Sequence, residues 1–263
     1  MASEAPRSSD GWTAVLLAGS RPGVDGFAEA NGVSLKPLIP VGGEAMVRRP
    51  VRALLAARGI GRVRVVTQQV DVIEAALDPN PLLSVEASGS TIAATIEAML
   101  EDPSTAFPLL VTTADHALLT SAMVEEFMAR AAGADLAIGT VERTALMKRL
   151  PGTKRTWIGF RGGAYSGANL FGFGSREALR AVALWRGVEQ NRKKGWRMLI
   201  AFGPTLLLGA GLKLRTVEQS LASIGKRLDL DLRCILMSDP LAAVDVDKPT
   251  DLVLVEAIIS GTA

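Results

Sequence analysis

Three apolar, strand-like runs in this chain stop abruptly at a glycine or an aspartate. Trp12-Thr-Ala-Val-Leu-Leu-Ala18 runs into Gly19-Ser20-Arg21. Phe107-Pro-Leu-Leu-Val-Thr-Thr-Ala leads to Asp115, and Leu241-Ala-Ala-Val leads to Asp245-Val246-Asp247. Helical patterns lie between runs of this kind. Repeated β-α-β alternation demands a mostly parallel sheet covered on both faces. Right-handed crossovers then put the carboxyl ends of the strands on one edge, and ligands collect along that edge in open α/β sheets. The expected fold class is therefore α/β: a three-layer α/β/α, doubly wound, mostly parallel sheet.

The pattern predicts strands at 14–18, 63–67, 82–86, 109–113 and 134–141. It predicts helices at 45–57, 70–77, 91–100 and 122–132, with Ser90 as N-cap of the third and Thr120 or Ser121 capping the fourth. The second half reads differently. Thr156–Phe160 and Ala164–Phe173 suggest antiparallel strands joined at Gly162-Gly163, and a helical region follows from Arg176 towards Leu208. Helix 218–228 and strands 233–237 and 244–246 come next, and Pro249 suits the first turn of a last helix through Ile259. We expect one domain over 1–263, with a disordered tail over 1–11 and a helical and hairpin insertion near 142–215 on the acceptor side.

Composition narrows the function classes. Hydrophobic residues make up 48% of the 263 and charged residues 21%, which supports a sizeable core and excludes global disorder. A net charge of +2 gives no reason to expect nucleic acid as a partner. The single cysteine, Cys234, can build neither a disulfide framework nor a cysteine-based zinc site. No signal-peptide core precedes Trp12, so the expected compartment is the cytoplasm. Met198 to Leu212 carries no charge and is flanked by Arg192, Lys193, Lys194, Arg197, Lys213 and Arg215. It falls short of the roughly 20 residues of a spanning helix. It reads as a buried helix with a Pro/Gly break, and the alternative is peripheral contact of 192–215 with the inner face of a membrane.

Chemistry concentrates at the strand ends. The stretch from Gly19 to Gly43 reads as one long loop, and it holds Gly19, Arg21, Gly23, Asp25, Gly26, Gly32, Lys36, Gly42 and Gly43. Glycines let the backbone approach phosphate oxygens while Arg21 and Lys36 supply compensating charge. The stretch is neither a Walker loop nor a dinucleotide fingerprint. Asp115 closes a buried strand, where it either caps the next turn or holds a magnesium ion against triphosphate oxygens. Its neighbour His116, the only histidine, fits a packing role better than that of a general base, because a phosphate acceptor is already ionised. Strand alternation puts Asp245 and Asp247 on one face, where a cation or a lysine such as Lys248 must offset their repulsion. Ser88, Gly89 and Ser90 are small and polar enough to admit a base, and equally serve as an ordinary helix entry. Asn169 in a Gly-rich strand either faces the acceptor or marks a β-bulge.

In this order the stretches Leu16-Leu-Ala-Gly-Ser-Arg21, Lys36-Pro-Leu38, Thr113-Ala-Asp115 and Asp245-Val-Asp-Lys-Pro-Thr-Asp251 resemble the MobA-like nucleotidyltransferases. That family has a glycosyltransferase-A-type fold, shared with sugar-phosphate, methylerythritol-phosphate and cobinamide-phosphate nucleotidyltransferases. The sequence departs from the family pattern at Ser20, in the longer stretch before Lys36, and at Asp115-His-Ala. The resemblance implies a catalytic set of Arg21, Lys36 and Asp115. It implies nucleotide contacts at Ala18, Gly19, Ser20, Arg21, Lys36, Ser88, Gly89 and Ser90, and acceptor contacts at Asn169 and Lys248. Asp115 with Asp245 or Asp247 would hold Mg2+.

The expected activity is magnesium-dependent transfer of a nucleoside monophosphate from an NTP, with CTP or GTP favoured. The acceptor would be a phosphorylated small molecule or lipid-like phosphate, and pyrophosphate would be released. Two alternatives stand beside it. One is a glycosyltransferase using a nucleotide-sugar with Asp245-Val-Asp247 as its metal motif; the other is a non-catalytic nucleotide-binding or membrane-associated protein.

Overall fold

The computed structural model describes residues 11–19, 23, 25–89, 91–189 and 215–262. Along the chain lie β1 (Trp12–Leu17), α1 (Gly26–Ala30), β2 (Pro40–Val41), β3 (Glu44–Ala45), α2 (Arg48–Ala56), β4 (Ile60–Thr67) and α3 (Val70–Ala75). Then come β5 (Leu83–Ala87), α4 (Ile92–Glu101), β6 (Leu109–Thr113), α5 (Ser121–Ala131), β7 (Leu136–Glu142) and α6 (Arg143–Arg149). The series ends with β8 (Ile158–Phe160), β9 (Gly163–Phe173), α7 (Leu179–Glu189), α8 (Val217–Leu228), β10 (Leu232–Leu236) and α9 (Pro249–Ile259). The architecture is mixed α/β with a mostly parallel central sheet, as the alternation in the sequence demands.

The chain divides into two compact units. The first comprises residues 1–88, 106–126 and 244–263. Its strands β1, β4, β5 and β6 are all parallel, with β1 between β6 and β4, and β5 beyond β4. The strands are apolar because helices hide both faces: Ala14, Val15, Leu16, Val63, Val65, Leu109, Leu110 and Val111 are all buried. Arg64 forks onto Glu86 at 2.6–3.1 Å, tying β4 to β5 near their carboxyl ends. Burial alone would raise the Glu86 carboxyl; hydrogen bonds from Arg64 and Ser84 reverse this and hold it below the ordinary carboxylate value.

The second unit comprises 89–105 and 127–243. β10 pairs with β7 in parallel, whereas β7 with β9 and β8 with β9 are antiparallel. The β8–β9 hairpin turns at Arg161-Gly162, and Gly162 adopts the left-handed φ of 100° that such a turn uses. Gly174 ends β9 where the chain crosses the start of β7. A β-carbon there would lie 2.0 Å from the Ala134 carbonyl oxygen, so only glycine fits without displacing backbone.

The structure corrects several expectations. The stretch after Gly19 is not simply loop: it contains α1, a 3₁₀ turn at Lys36–Leu38 and the β2–β3 hairpin. Asp25 starts α1 by accepting from the Phe27 and Ala28 amides at 3.0 and 3.3 Å. Residues 244–246 form no strand: Val244 and Val246 are buried, but the segment joins no ladder. α6 was not expected, because only Leu146 of its seven residues is buried and it carries little apolar periodicity. α4 is capped by Thr91, whose hydroxyl accepts from the Ala94 amide, while Ser90 lies outside the described residues. Among the described residues no helix is long and apolar enough to cross a membrane. The segment singled out for membrane contact, 192–215, lies outside them except for Arg215.

Replacing Gly174 with alanine should destabilise the protein by about 3 kcal/mol in urea unfolding, the range of an overpacked backbone contact. Gly152→Ala, where a β-carbon meets nothing within 4 Å, should stay within about 0.5 kcal/mol of the parent.

Candidate active site

The site is built in the first unit by register. Leu17 of β1 pairs with Val66 of β4 and with Thr113 of β6, and Thr67 pairs with Ala87 of β5. Each strand end gains one more bond: the Ala18 amide donates to Val66, Ser88 to Thr67 and Ala114 to Leu17, each at 2.9 Å. These bonds force Ala18, Gly19, Ser88 and Asp115 onto one edge, the edge where ligands are expected. At Gly19 a β-carbon would lie 2.9 Å from the Gln68 side-chain amide, so a larger residue would have to push Gln68 aside.

The 3₁₀ turn Lys36–Leu38 carries the key cation. Pro37 and Ile39 are buried, and the Met46 amide donates to the Ile39 carbonyl and the Val47 amide to Pro37. The backbone under Lys36 is thus fixed by packing on one side and the β2–β3 hairpin region on the other. Its ammonium reaches Asp115 Oδ2 at 2.7 Å and Asp247 Oδ1 at 2.5 Å. Side-chain exposure is 20% for both Lys36 and Asp115 and 62% for Asp247. Burial by itself lowers the Lys36 ammonium; the charge of Asp115 and hydrogen bonds to Asp115 and Asp247 overcome it, leaving the group above the ordinary lysine value.

Each carboxylate is held in turn. Thr113 Oγ1 donates to Asp115 Oδ1 at 2.5 Å, leaving Oδ2 for the cation. The Val246 amide donates to the Asp115 carbonyl at 3.0 Å, which fastens the last segment of the chain to the end of β6. One residue on, the Asp247 amide donates to Asp251 Oδ2 at 3.2 Å, and Asp251 is only 7% exposed at the start of α9. Thr113 and Asp251 were not singled out as site residues from the sequence. Thr113 had a usable signal: it is a hydroxyl residue two positions before Asp115, close enough in the chain to hydrogen-bond that carboxylate. Asp251 reads as a first-turn acid and gave none.

The remaining predicted residues fall as follows. Asp245 is half-buried, and the bridging lysine spans Asp115 and Asp247. Lys248 is the exposed N-cap of α9. His116 is 1% exposed, consistent with packing. In the second unit the Gly89 amide donates to Thr95 Oγ1 at 3.0 Å. Asn169 lies where the β7–β9 register shifts between Ile138 and Thr140, and its φ of 49° is the left-handed conformation that asparagine tolerates in a bulge. Ser20, Arg21 and Ser90 lie outside the described residues.

Two carboxylates on one cationic atom already form a place for positive charge. Magnesium commonly takes one or two protein carboxylates and fills the rest of its octahedron with water and phosphate oxygens, so Asp115 and Asp247 fit that ion. Among the described residues no group of three or more His, Cys, Asp or Glu side chains could hold a metal.

A parallel sheet thus carries Gly19, Lys36 and two converging aspartates at its carboxyl edge. A family model for the MobA-like NTP transferase domain matches residues 14–202. The chain belongs to this family and is a nucleotidyltransferase. A hypothetical transferase from Thermus thermophilus is similar, with 29% identity, a TM-score of 0.78, and 92% of this chain and 99% of that chain covered. The 4-diphosphocytidyl-2C-methyl-D-erythritol synthase of Anaerococcus prevotii shares the fold at 11% identity and a TM-score of 0.59, covering 98% of this chain and 100% of that one. Another structure of that name aligns at 15% identity and a TM-score of 0.58, covering 96% and 100%. None of the curated proteins matches the sequence.

The raised Lys36 value has a defined sign. Its stabilisation is fully present below the unfolded value of 10.5 and is lost as pH rises through the higher folded value. The stability gap between the parent and Lys36→Met should be constant near neutral pH. It should narrow as chemical-denaturation series climb above about pH 10.5.

Proposed function

We propose that this enzyme transfers a nucleoside monophosphate from an NTP to a phosphorylated acceptor in a magnesium-dependent reaction that releases pyrophosphate. The observation that carries the reading is Lys36 bridging Asp115 and Asp247 at the carboxyl edge of the parallel strands. Phosphoryl chemistry of this kind relies on positioning and charge neutralisation more than on covalent help.

In the reaction an acceptor phosphate oxygen forms a bond to the α-phosphorus as the bond from that phosphorus to the bridging oxygen of the β-phosphate breaks. The electron pair leaves with pyrophosphate. The acceptor is ionised already, so no general base is needed. The main chain at Ala18 and Gly19 gives the polyphosphate close access, and Arg21 and Lys36 offset charge building on the leaving oxygens. Asp115 and Asp247 would hold the magnesium ion, which when bound supplies electrostatic stabilisation of the phosphate oxygens. Ser88, just past β5, lies on the same strand edge and is assigned to the base together with Gly89 and Ser90, while Ser20 is assigned to the polyphosphate with Gly19 and Arg21. Asn169 and Lys248 are assigned to the acceptor.

The glycosyltransferase alternative treats Asp245 and Asp247 as one metal motif. The bridging lysine pairs Asp247 with Asp115 instead, which speaks for the nucleotidyl-transfer reading. Two of the similar folds are named for a diphosphocytidyl product, so CTP heads the nucleotide panel and GTP follows.

With magnesium present, thermal shift across the four NTPs should single out one nucleotide, since a ligand of the folded state raises apparent stability by mass action. With that nucleotide and an acceptor panel, pyrophosphate release should appear, and Asp115→Asn should lower kcat/KM by about 10²–10³-fold. Unchanged turnover in a folded Asp115→Asn protein would remove the site from the reaction. Nucleoside diphosphate as product would install the glycosyltransferase.

A further inference from the structure

The ammonium of Lys36 holds the position where a cation shared by Asp115 Oδ2 and Asp247 Oδ1 would sit. Asp115 Oδ1 is occupied by the Thr113 hydroxyl, so Oδ2 is the oxygen turned to the cation position, and Lys36 Nζ already sits 2.7 Å from it. Asp247 offers Oδ1 to the same nitrogen at 2.5 Å. A magnesium ion bonds oxygen at about 2.0–2.1 Å, so an ion on these two oxygens would take the position of the ammonium and repel it. One of the two must leave.

The supports decide which one moves. Asp115 is fixed by Thr113 and by the Val246 amide, and the Asp247 main chain is fixed by Asp251. The Lys36 backbone is held too: the Leu38 amide bonds Leu35, the Ile39 amide bonds Lys36, and Pro37 is buried. What remains free to swing is the four-carbon lysine stem, a compact charge on a flexible tether. Leaving two carboxylates for water is unfavourable for a cation that is one-fifth exposed. Leaving them for another polyanion is not.

We infer that Lys36 and the divalent cation are alternative occupants of one position between Asp115 and Asp247. Lysine fills it in the resting enzyme and yields it when a polyphosphate gives the ammonium a new partner. The inference rests on the proposed role of Asp115 and Asp247 as cation ligands and adds an order to it. The metal does not load the resting protein well by itself; metal and nucleotide enter together. A nucleotide-free enzyme thereby keeps the repulsion within its carboxylate pair offset by the shared ammonium.

The test uses Mn2+ as probe and the full chain without nucleotide, with free Mn2+ followed by electron paramagnetic resonance. The ammonium and a metal ion compete for the same two oxygens, and two like charges that close repel strongly at the dielectric of a protein surface. Lys36→Met and Lys36→Gln should therefore each bind Mn2+ at least about tenfold more tightly than the parent. Adding Asp115→Asn to either should abolish the gain. Thermal melts identify which variants are folded, and the two lysine replacements guard against one that is not. Equal or weaker Mn2+ binding in both folded lysine variants overturns the exchange, as does a gain that survives Asp115→Asn. The function itself is read separately, by pyrophosphate release from the parent and from Asp115→Asn. Loss of turnover in Asp115→Asn without tighter Mn2+ binding in the lysine variants leaves the nucleotidyl-transfer reading standing and removes only the exchange.

Discussion

A single ammonium group joins residues far apart in the sequence: Lys36 after the first strand, Asp115 after the fourth parallel strand of its unit, and Asp247 near the end of the chain. Everything else in the first unit serves that convergence. Parallel pairing sets the height of β1 and β6 to within a residue, so Asp115 and Gly19 share an edge. The buried 3₁₀ turn fixes where the lysine starts, and the main-chain bond from Val246 to Asp115 fixes where the last carboxylate arrives. Charge neutralisation then comes from geometry that the sheet has already determined.

Much of this was legible in the sequence where local signal and tertiary environment agree. β6 has the predicted bounds because five apolar or β-branched residues stand between Pro108 and Ala114. α9 has them because Pro249 opens a helix at its first turn and the apolar run continues to Ile259. The buried strands of a parallel sheet read as continuous apolar stretches, and so did these.

Where the reading failed, the competing physics is identifiable. The stretch from Gly19 to Gly43 looked like loop because its glycines signal turns and α1 spans only five residues, too short for any periodicity to register. Residues 244–246 alternate buried and half-buried like a strand, but alternation reports which way side chains point, not whether a neighbouring strand supplies hydrogen bonds. The same ambiguity left Asp245 and Asp247 equivalent on paper. Only the docking of Val246 on Asp115 distinguishes them, by carrying Asp247 to the lysine. Lys36 and Asp115 were legible as candidates by residue type and place; that they touch was not.

The bond between the Val246 amide and the Asp115 carbonyl has a consequence for how this scaffold tolerates change. Because the link runs peptide to peptide, no side chain encodes it. Surface residues on either segment are free to be exchanged without altering the gap between the two acids. Length is not free: a residue inserted between Val246 and Asp247 would shift the second acid along the backbone while its anchor stayed put. The tolerances of this corner are those of a ruler, indifferent to its colour and unforgiving of an added division.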